Sequence, residues 1–293
     1  MGQNECMAEI PPVVLTIAGF DPSSGAGVTA DVKTIAAHGC YGVACITAMT
    51  VQSTAGVRKV VPCDAGLVRD TLDELAADLE IAAIRIGMLG SGEVVGAVTR
   101  FLESARPRLR NIVLDPVLKS SSGADLLDPA GAKLLRDKLM PICDVITPNL
   151  DEATVLTGLN VTNEDEMRKA AVRLHKLGAK AAVVTGGHLS QAVDLLSFTG
   201  NKGVQQEVFR GPKLVSNSTH GTGCAFATAM ACHLALGRGL AEATLLAKVF
   251  VSAAMTAAYP LGHGKGPLNH LYRLNEPRRA NSQAGSEAGK AQE

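Results

Sequence analysis

Short apolar runs rich in valine and isoleucine alternate along this chain with amphipathic helical patterns, and that alternation restricts the possible folds more than any other feature. The runs cover Val13 to Ala18, Val43 to Ala48, Ala83 to Gly87, Asn111 to Asp115, Val145 to Thr147 and Ala181 to Thr185. Between them a 3.6-residue period predicts helices over Gly27 to Ala37, Leu67 to Leu79, Val94 to Ser104, Pro129 to Leu139 and Glu164 to Leu177. Repeated strand–helix units of this kind build a mostly parallel sheet covered by helices on both faces. A later hairpin is expected from Val193 to Phe198 and Gln205 to Phe209, joined through Gly200 and Gly203. Two helices, Thr222 to Leu236 and Leu240 to Tyr259, then close the domain. Ligands in open α/β sheets sit beyond the C-terminal strand ends, so the chemistry is expected in the loops that follow the strands.

With 293 residues and 46% hydrophobic content, the chain is long enough to bury a sizeable core in one large domain. The formal net charge of +0 argues against a nucleic-acid or anionic-membrane partner. Seven scattered cysteines (Cys6, Cys40, Cys45, Cys63, Cys143, Cys224, Cys232) form no CxxC pair, and they read as reduced thiols of a cytoplasmic protein. No run reaches membrane-spanning length, and the start at Met1 to Cys6 lacks the basic and apolar segments of a signal peptide. Residues 1–12 are expected to be flexible, 13–273 to form the domain, and 274–293, poor in apolar side chains, to be disordered.

The most informative single segment is Asn217-Ser218-Thr219-His220-Gly221-Thr222-Gly223-Cys224, which runs into the small-residue helix Ala225 to Ala231. Glycines at a helix start let consecutive backbone N–H groups converge on one spot at the positive end of the helix dipole, which makes an anion pocket. Cys224 stands just inside it, where the helix terminus is expected to favour the thiolate and the thiol can act as a base on a hydroxyl. Taken alone, the segment also reads as a glycine-rich turn opening a packed helix with a buried cysteine.

Further candidates follow the strands. Gly19-Phe20-Asp21-Pro22-Ser23-Ser24-Gly25-Ala26-Gly27 has the wrong spacing for a dinucleotide fingerprint and carries its own turn signal in Asp-Pro-Ser-Ser. Asp115, in Asp115-Pro116-Val117, is an acid at a strand tip within reach of a magnesium-bound water or a phosphate, or else a cap. In Thr147-Pro148-Asn149-Leu150-Asp151-Glu152, the three-residue spacing of Asn149 and Glu152 points both toward one pocket, or makes a capping box. Thr185-Gly186-Gly187-His188 supplies a backbone that a nucleotide can approach closely.

In this order, Leu15 to Gly27, Ala30-Asp31-Val32-Lys33-Thr34, Ile86-Gly87-Met88-Leu89, Asp115-Pro116-Val117, Ile146 to Asn149, Gly186-Gly187-His188, Thr219 to Cys224 and Gly262-His263-Gly264 resemble the ribokinase-like superfamily. Within it, the chain is similar to the bacterial hydroxymethylpyrimidine/phosphomethylpyrimidine kinases of thiamine biosynthesis, over nearly all of Val14 to Tyr272. The resemblance implies an α/β fold of the ribokinase-like kind, a three-layer α/β/α sandwich with a mostly parallel central sheet. It also implies transfer of phosphoryl groups from ATP, with Mg2+, first to the hydroxymethyl group of 4-amino-5-hydroxymethyl-2-methylpyrimidine and then to the resulting phosphate.

By the same resemblance Cys224 is the base and Gly221, Thr222 and Gly223 form the anion hole. Asp115 and Glu152, with Asn149, hold magnesium through water, while Thr185, Gly187 and Lys248 lie near the nucleotide. Read without the resemblance, Lys248 is a solvated helix lysine. The pyrimidine falls to Gly19, Gln52, Met88 and Val117, and the Gln52 carboxamide offers both donor and acceptor to an aminopyrimidine edge. A homodimer is implied as well.

Two departures stand out. Where these kinases commonly carry a lysine before Ser-Gly, this chain reads Lys119-Ser120-Ser121-Ser122-Gly123, which bears on the grip on the second phosphate. Thr185 stands where a lysine is frequent. A pyridoxal kinase shares the cysteine and the Gly-Thr-Gly turn and is the nearest alternative, although Gln52 suits the pyrimidine kinases better. A non-catalytic ligand-binding regulator has no need of Cys224, Asn149 or Glu152. A dinucleotide oxidoreductase needs a GxGxxG that is absent.

Overall fold

The structure is a computed structural model. It describes residues 10–275 apart from 107, 121, 188, 190 and 202, so the expectations for the first residues, most of the tail, Ser121 and His188 lie outside the described residues. One nine-stranded sheet runs through it, in the order β3-β2-β1-β4-β5-β6-β7-β8-β9. The strands are β1 Val13–Phe20, β2 Tyr41–Ser53, β3 Gly56–Pro62, β4 Ile81–Ile86, β5 Ile112–Leu114, β6 Val145–Ile146, β7 Ala181–Gly186, β8 Ala192–Gly200 and β9 Gly203–Gly211. From β2 to β7 neighbours pair parallel, while β3, β8 and β9 pair antiparallel at the two edges.

Strands β1, β4, β5, β6 and β7 are buried on both faces, which is why they read in the sequence as continuous apolar runs rather than alternating ones, whereas β2 keeps Tyr41, Ile46 and Met49 exposed. Leu15, Ile17, Ile84, Ile86, Ile112 and Leu114 pack on one side with helices α2 Ala65–Asp78, α3 Gly92–Ala105, α5 Leu150–Thr157 and α6 Glu164–Lys176. Val14, Ala83, Val113, Val145 and Val183 pack on the other with α1 Gly27–Ala37, α7 Thr222–Ala235 and α8 Leu240–Thr256. The run of alanines buried along α7 brings that helix close to the sheet. The three layers and the mostly parallel sheet are the arrangement expected from the alternation.

Three local expectations are corrected. The helix over Pro129 to Leu139 is α4 Pro129–Leu134, followed by a π-helical turn at Leu135–Leu139, because Pro141 denies a backbone N–H to any continuing helix. The helix α5 starts at the capping box offered by Asn149 and Glu152, where the sequence had given the helix no bounds. The strand β3, which pairs with the far half of β2 from Ala48↔Pro62 to Ser53↔Gly56, was not anticipated. Since β2 outruns β1, whose last pairing with it is Phe20↔Met49, the β2–β3 ribbon projects past the sheet as a flap over the strand ends.

The strand order reverses between β1 and β4, with β2 on one side of β1 and β4 on the other. The C-terminal ends of those two strands flank the crevice that such a switch point opens. Among the described residues no helix is long and apolar enough to cross a membrane.

Candidate active site

Gly221 is the N-cap of α7 and has φ +81°, a conformation that a side chain disfavours. A Cβ there would lie 1.9 Å from the carbonyl oxygen of Gly25, so the anion loop packs backbone to backbone against the turn after β1. The first-turn N–H groups of α7 have no partner within the helix and face the switch point with its positive end. Gly223 is exposed there, and the atom nearest a Cβ at that position is Oδ1 of Asp115, at 4.0 Å.

Behind this loop lies a buried charge cluster that sequence reasoning missed. Arg85, on β4 and without solvent exposure, sends Nη1 to Oδ2 of Asp31 at 2.9 Å and Nη2 to Oδ2 of Asp115 at 2.6 Å. Thr16 and Thr228 donate to the Asp31 carboxylate at 2.6 and 2.7 Å. Gly87 leaves room for the guanidinium, because a Cβ there would sit 2.1 Å from Nη1. One cation is shared by two buried carboxylates. Burial raises both Asp31 and Asp115 and the guanidinium opposes it, while Asp31 further raises Asp115.

The Cys224 thiol sits against this cluster, with Arg85 and Asp115 as side-chain partners and the Gly27 N–H donating to its sulfur. Its pKa is not lowered, as the helix terminus led one to expect, but pushed up to about 12. Burial dominates; Arg85 opposes it, Asp115 and Asp31 push in the same direction as burial, and the Gly27 N–H gives a smaller opposing contribution. Cys224 is a neutral thiol at physiological pH.

Asn149 and Glu152 form the capping box of α5: Oδ1 of Asn149 accepts the Glu152 N–H and Oε2 of Glu152 accepts the Asn149 N–H, each at 2.9 Å. The capping alternative is therefore the one found for Asn149, whose carbonyl oxygen is committed to the cap. Glu152 retains a second property. Burial and the charge of Asp115 raise its pKa well above the ordinary carboxylate range. Two buried carboxylates repelling each other at adjacent strand tips suit a hard divalent cation, whose charge would relieve both. Among the described residues no group of three potential ligands gathers as a closed metal site.

Thr185 donates its N–H to the Pro148 carbonyl at 2.9 Å, which sets it beside Asn149. Gly187 has nothing within 4 Å of where a Cβ would stand, so its backbone is open to a ligand. Lys248 is not a solvated helix lysine. Its Nζ lies 2.7 Å from Asp194 Oδ2 and donates to the Ala192 carbonyl at 3.1 Å, with 11% of the side chain exposed. Asp194 in turn accepts the Gly186 N–H at 3.3 Å, so Lys248 supports the Gly186 turn from behind.

Of the four residues expected at the pyrimidine, Gly19 and Met88 meet across the switch point: a Cβ on Gly19 would stand 2.9 Å from the Met88 sulfur. Thr47 holds the Met88 carbonyl at 2.5 Å. Val117, partly buried after β5, donates its N–H to the Asp115 carbonyl at 2.8 Å. Gln52, on the flap, reaches His220, with its amide nitrogen 3.2 Å from Nε2. His220 and Asp21 are the other functional candidates that the sequence did not single out. Nε2 of His220 lies 2.8 Å from Asp21 Oδ2, and Asp21 also accepts from the backbone N–H groups of Ser23, Gly25 and Ala26 and from the Ser23 hydroxyl. Burial works against the Asp21 carboxylate, but His220 and Ser23 outweigh it and its pKa falls. The Asp-Pro-Ser-Ser turn was the available signal for Asp21, while its partner lies 199 residues away. A cavity of about 200 Å³ opens beside this group, lined by Gln52, Thr54, Ser120, Ser122, His220 and Lys265.

At the switch point the structure brings together the glycine-opened start of α7, a thiol beside a buried arginine, and the buried acids Asp115 and Glu152. The family described as phosphomethylpyrimidine kinase matches residues 21–269. This chain belongs to that family. As a phosphomethylpyrimidine kinase family member it is a phosphotransferase with the ribokinase-like fold. It is 40% identical over 267 residues to the hydroxymethylpyrimidine/phosphomethylpyrimidine kinase of Streptomyces coelicolor, covering 91% of this chain and 97% of that one. It is 41% identical over 267 residues to the thiamine biosynthesis bifunctional protein ThiED of Geobacter sulfurreducens, where the match takes 90% of this chain and 53% of the relative. The chain thus spans about half of that longer protein. Among solved structures, an ADP complex of Bacillus subtilis pyridoxal kinase matches with a TM-score of 0.81 at 33% identity, over 90% of this chain and 100% of the other. The phosphomethylpyrimidine kinase of Clostridium difficile matches at 0.72 and 34%, over 83% and 99%.

Proposed function

We propose that this family member transfers the terminal phosphoryl group of ATP to the hydroxymethyl group of 4-amino-5-hydroxymethyl-2-methylpyrimidine and then phosphorylates the monophosphate to the diphosphate, in thiamine biosynthesis in the cytoplasm. The observation that carries the reading is the Cys224 thiol at the glycine-opened end of α7, flanked by Arg85 and Asp115, with Gln52 of the flap reaching His220 in the loop that leads into that helix. The relatives named for that pair of reactions support it.

In this reading the ring lies against the surface that Gly19 and Met88 form together, with its amino edge toward Gln52, and the hydroxymethyl group points to Cys224. The backbone N–H groups at Gly221, Thr222 and Gly223 stabilise charge developing on the transferred group. Cys224, neutral at working pH, orients the hydroxyl rather than deprotonating it beforehand. A loose transition state allows this, because the acceptor oxygen becomes acidic only once its bond to phosphorus is forming, and its proton then passes to an oxygen of the transferred phosphoryl group or to solvent. Arg85 and Asp31 hold Asp115 and the thiol in register. Asp115 and Glu152 would hold a magnesium ion through water, and that ion supplies charge neutralisation for the nucleotide phosphates. The nucleotide would lie along the open backbone at Gly187, with Thr185 near it. We take the working unit to be a homodimer, which light scattering checks.

The deciding experiment incubates the protein with ATP, magnesium and either the hydroxymethylpyrimidine or pyridoxal, following ADP release and product mass. Successive gains of one and two phosphates on the pyrimidine are expected. Reaction with pyridoxal alone would replace this reading by the pyridoxal-kinase one, which the structural neighbours of that name keep in view.

A further inference from the structure

The turn between β1 and α1 supports two parts of the site through one residue, Gly25. Its carbonyl oxygen lies under Gly221 at the start of α7, and a Cβ on Gly25 would stand 2.3 Å from Cδ2 of His220, the ring that meets Gln52. Whatever fixes Gly25 therefore fixes the anion loop and the Gln52 contact together. Gly25 has no side chain by which to be held, so its place follows from the peptide group that joins it to Ser24.

That peptide is strained and doubly held. Ser24 has φ +60°, a left-handed conformation that a Cβ disfavours, and its N–H closes the turn on the Asp21 carbonyl at 3.0 Å. Beyond it, the Gly25 N–H donates to Oδ2 of Asp21 at 3.2 Å, while the Ser24 carbonyl accepts from Nζ of Lys33 at 2.9 Å. A carboxylate on the N–H edge and an ammonium on the C=O edge fix the rotation of a planar group. Asp21 also favours the charged form of Lys33. Lys33 lies on α1 and reaches back nine residues for this contact, where a helix lysine ordinarily extends to water. Asp21 alone grips only the N–H edge, and its carboxylate is shared with Ser23, Ala26 and His220. Without the ammonium, Ser24 can relax toward negative φ, which turns its carbonyl and carries Gly25 away from Gly221 and His220.

We propose that Lys33 is a positioning residue for the phosphoryl transfer: with Asp21 it clamps the Ser24–Gly25 peptide from both edges, and the clamp keeps the anion loop and His220 in register. The choice of acceptor for its test rests on the pyrimidine-kinase reading above. Lys33 acts through the backbone of the turn and touches neither reactant.

The test compares wild-type protein with Lys33→Met, Lys33→Arg, Ser24→Gly and the Lys33→Met/Ser24→Gly pair, using the hydroxymethylpyrimidine as acceptor under saturating magnesium–ATP. Lys33→Met keeps the length of the side chain and removes its charge. It is expected to lower kcat/KM about 10- to 100-fold, the scale of a misplaced site, with kcat falling through the anion loop and the pyrimidine KM rising through His220. Lys33→Arg keeps a cationic donor and should recover most of the loss. On the Ser24→Gly background the effect of Lys33→Met should shrink at least about threefold, because glycine adopts φ +60° without strain. Hydrogen exchange of the amides at residues 21–27 should quicken about tenfold in Lys33→Met and return toward wild type in Lys33→Arg. An effect on kcat/KM below about threefold with unchanged exchange overturns the clamp. So does a loss that persists in full on the Ser24→Gly background, which would put the Lys33 amine on a phosphate of the reactants. Exchange needs no acceptor, so wild-type protein that phosphorylates neither pyrimidine removes the pyrimidine-kinase reading and leaves exchange to decide the clamp.

Discussion

Arg85 holds Asp115 through a 2.6 Å contact between Nη2 and Oδ2, deep under the anion loop, and its other arm holds Asp31 at 2.9 Å. A guanidinium with no solvent exposure is tolerable there only because both carboxylates and the Cys224 thiol surround it. Removing it leaves two buried acids uncompensated. Arg85→Met is therefore expected to lose about 3–5 kcal/mol of stability, read by urea unfolding. Adding Asp31→Asn to that variant should restore part of the loss, because it removes one of the stranded charges. A double variant less stable than the single one would mean that the cluster is not coupled in this way.

The Cys224 thiol, pushed up to about 12, should show no ionisation between pH 6 and 9. The rate of its alkylation, followed by peptide mass spectrometry, should rise only at strongly alkaline pH. Cys224→Ser keeps a small hydrogen-bonding group and is expected to hold the first transfer to within about tenfold. Cys224→Ala should cost it about 100-fold, the scale of losing the positioning of the acceptor hydroxyl. The second transfer should suffer less from either change, because its acceptor is already ionised. Equal losses in both transfers would show that the thiol serves geometry alone.

A relay of polar contacts runs from Asp21 to His220 to Gln52, at 2.8 and 3.2 Å, and on the proposed function it is the device by which the flap would recognise the pyrimidine. Truncating His220 to alanine frees the Gln52 amide and is expected to raise the KM for the pyrimidine about tenfold, with kcat changing much less. The Gln52→Ala/His220→Ala pair should be no worse than Gln52→Ala alone, since the histidine acts through the glutamine. Multiplying effects in the double variant would place His220 in direct contact with the ligand instead.

How much of this was legible in the sequence differs from residue to residue, for physical reasons. Strands β1, β4, β5, β6 and β7 were readable because burial on both faces writes continuous apolar runs, and Gly221 because only a positive φ and a close backbone approach call for glycine there. The flap strand β3 was not, since Gly56-Val57-Arg58-Lys59 lies in a ribbon with both faces largely open to solvent. Arg85 and Asp31 looked like ordinary charges in a strand and a helix, because the pairing of two distant acids through one guanidinium leaves no local pattern. The expected Cys224 thiolate failed for a similar reason: the helix terminus is visible in the sequence, while the burial of the thiol, and the two aspartates beside it, are not. Lys248 reads as a surface lysine until Asp194 is brought under it by the β7–β8 hairpin.

Glu152 supplies a test in which pH decides the sign. Burial and Asp115 raise its folded-state pKa well above the value of about 4.3 for an unfolded chain. A raised folded pKa means that the contribution of Glu152 to stability is fully present below about pH 4 and is lost as pH rises through the folded value. Glutamine cannot ionise and still completes a capping box, so Glu152→Gln keeps the local structure of α5. At pH 8 the variant is expected to be more stable than wild type by about 1 kcal/mol or more, a rise in Tm of roughly 2–4 °C. The difference should vanish as the pH approaches 4, where both side chains are neutral. Magnesium with a non-hydrolysable ATP analogue should reverse the order at pH 8, because the wild-type carboxylate gains a cation to face and the amide does not. Thermal unfolding across pH, with and without magnesium and the analogue, checks both halves. A variant less stable than wild type at every pH would show that the Glu152 carboxylate already has its compensating partners within the fold, with no charge left over for a metal to neutralise.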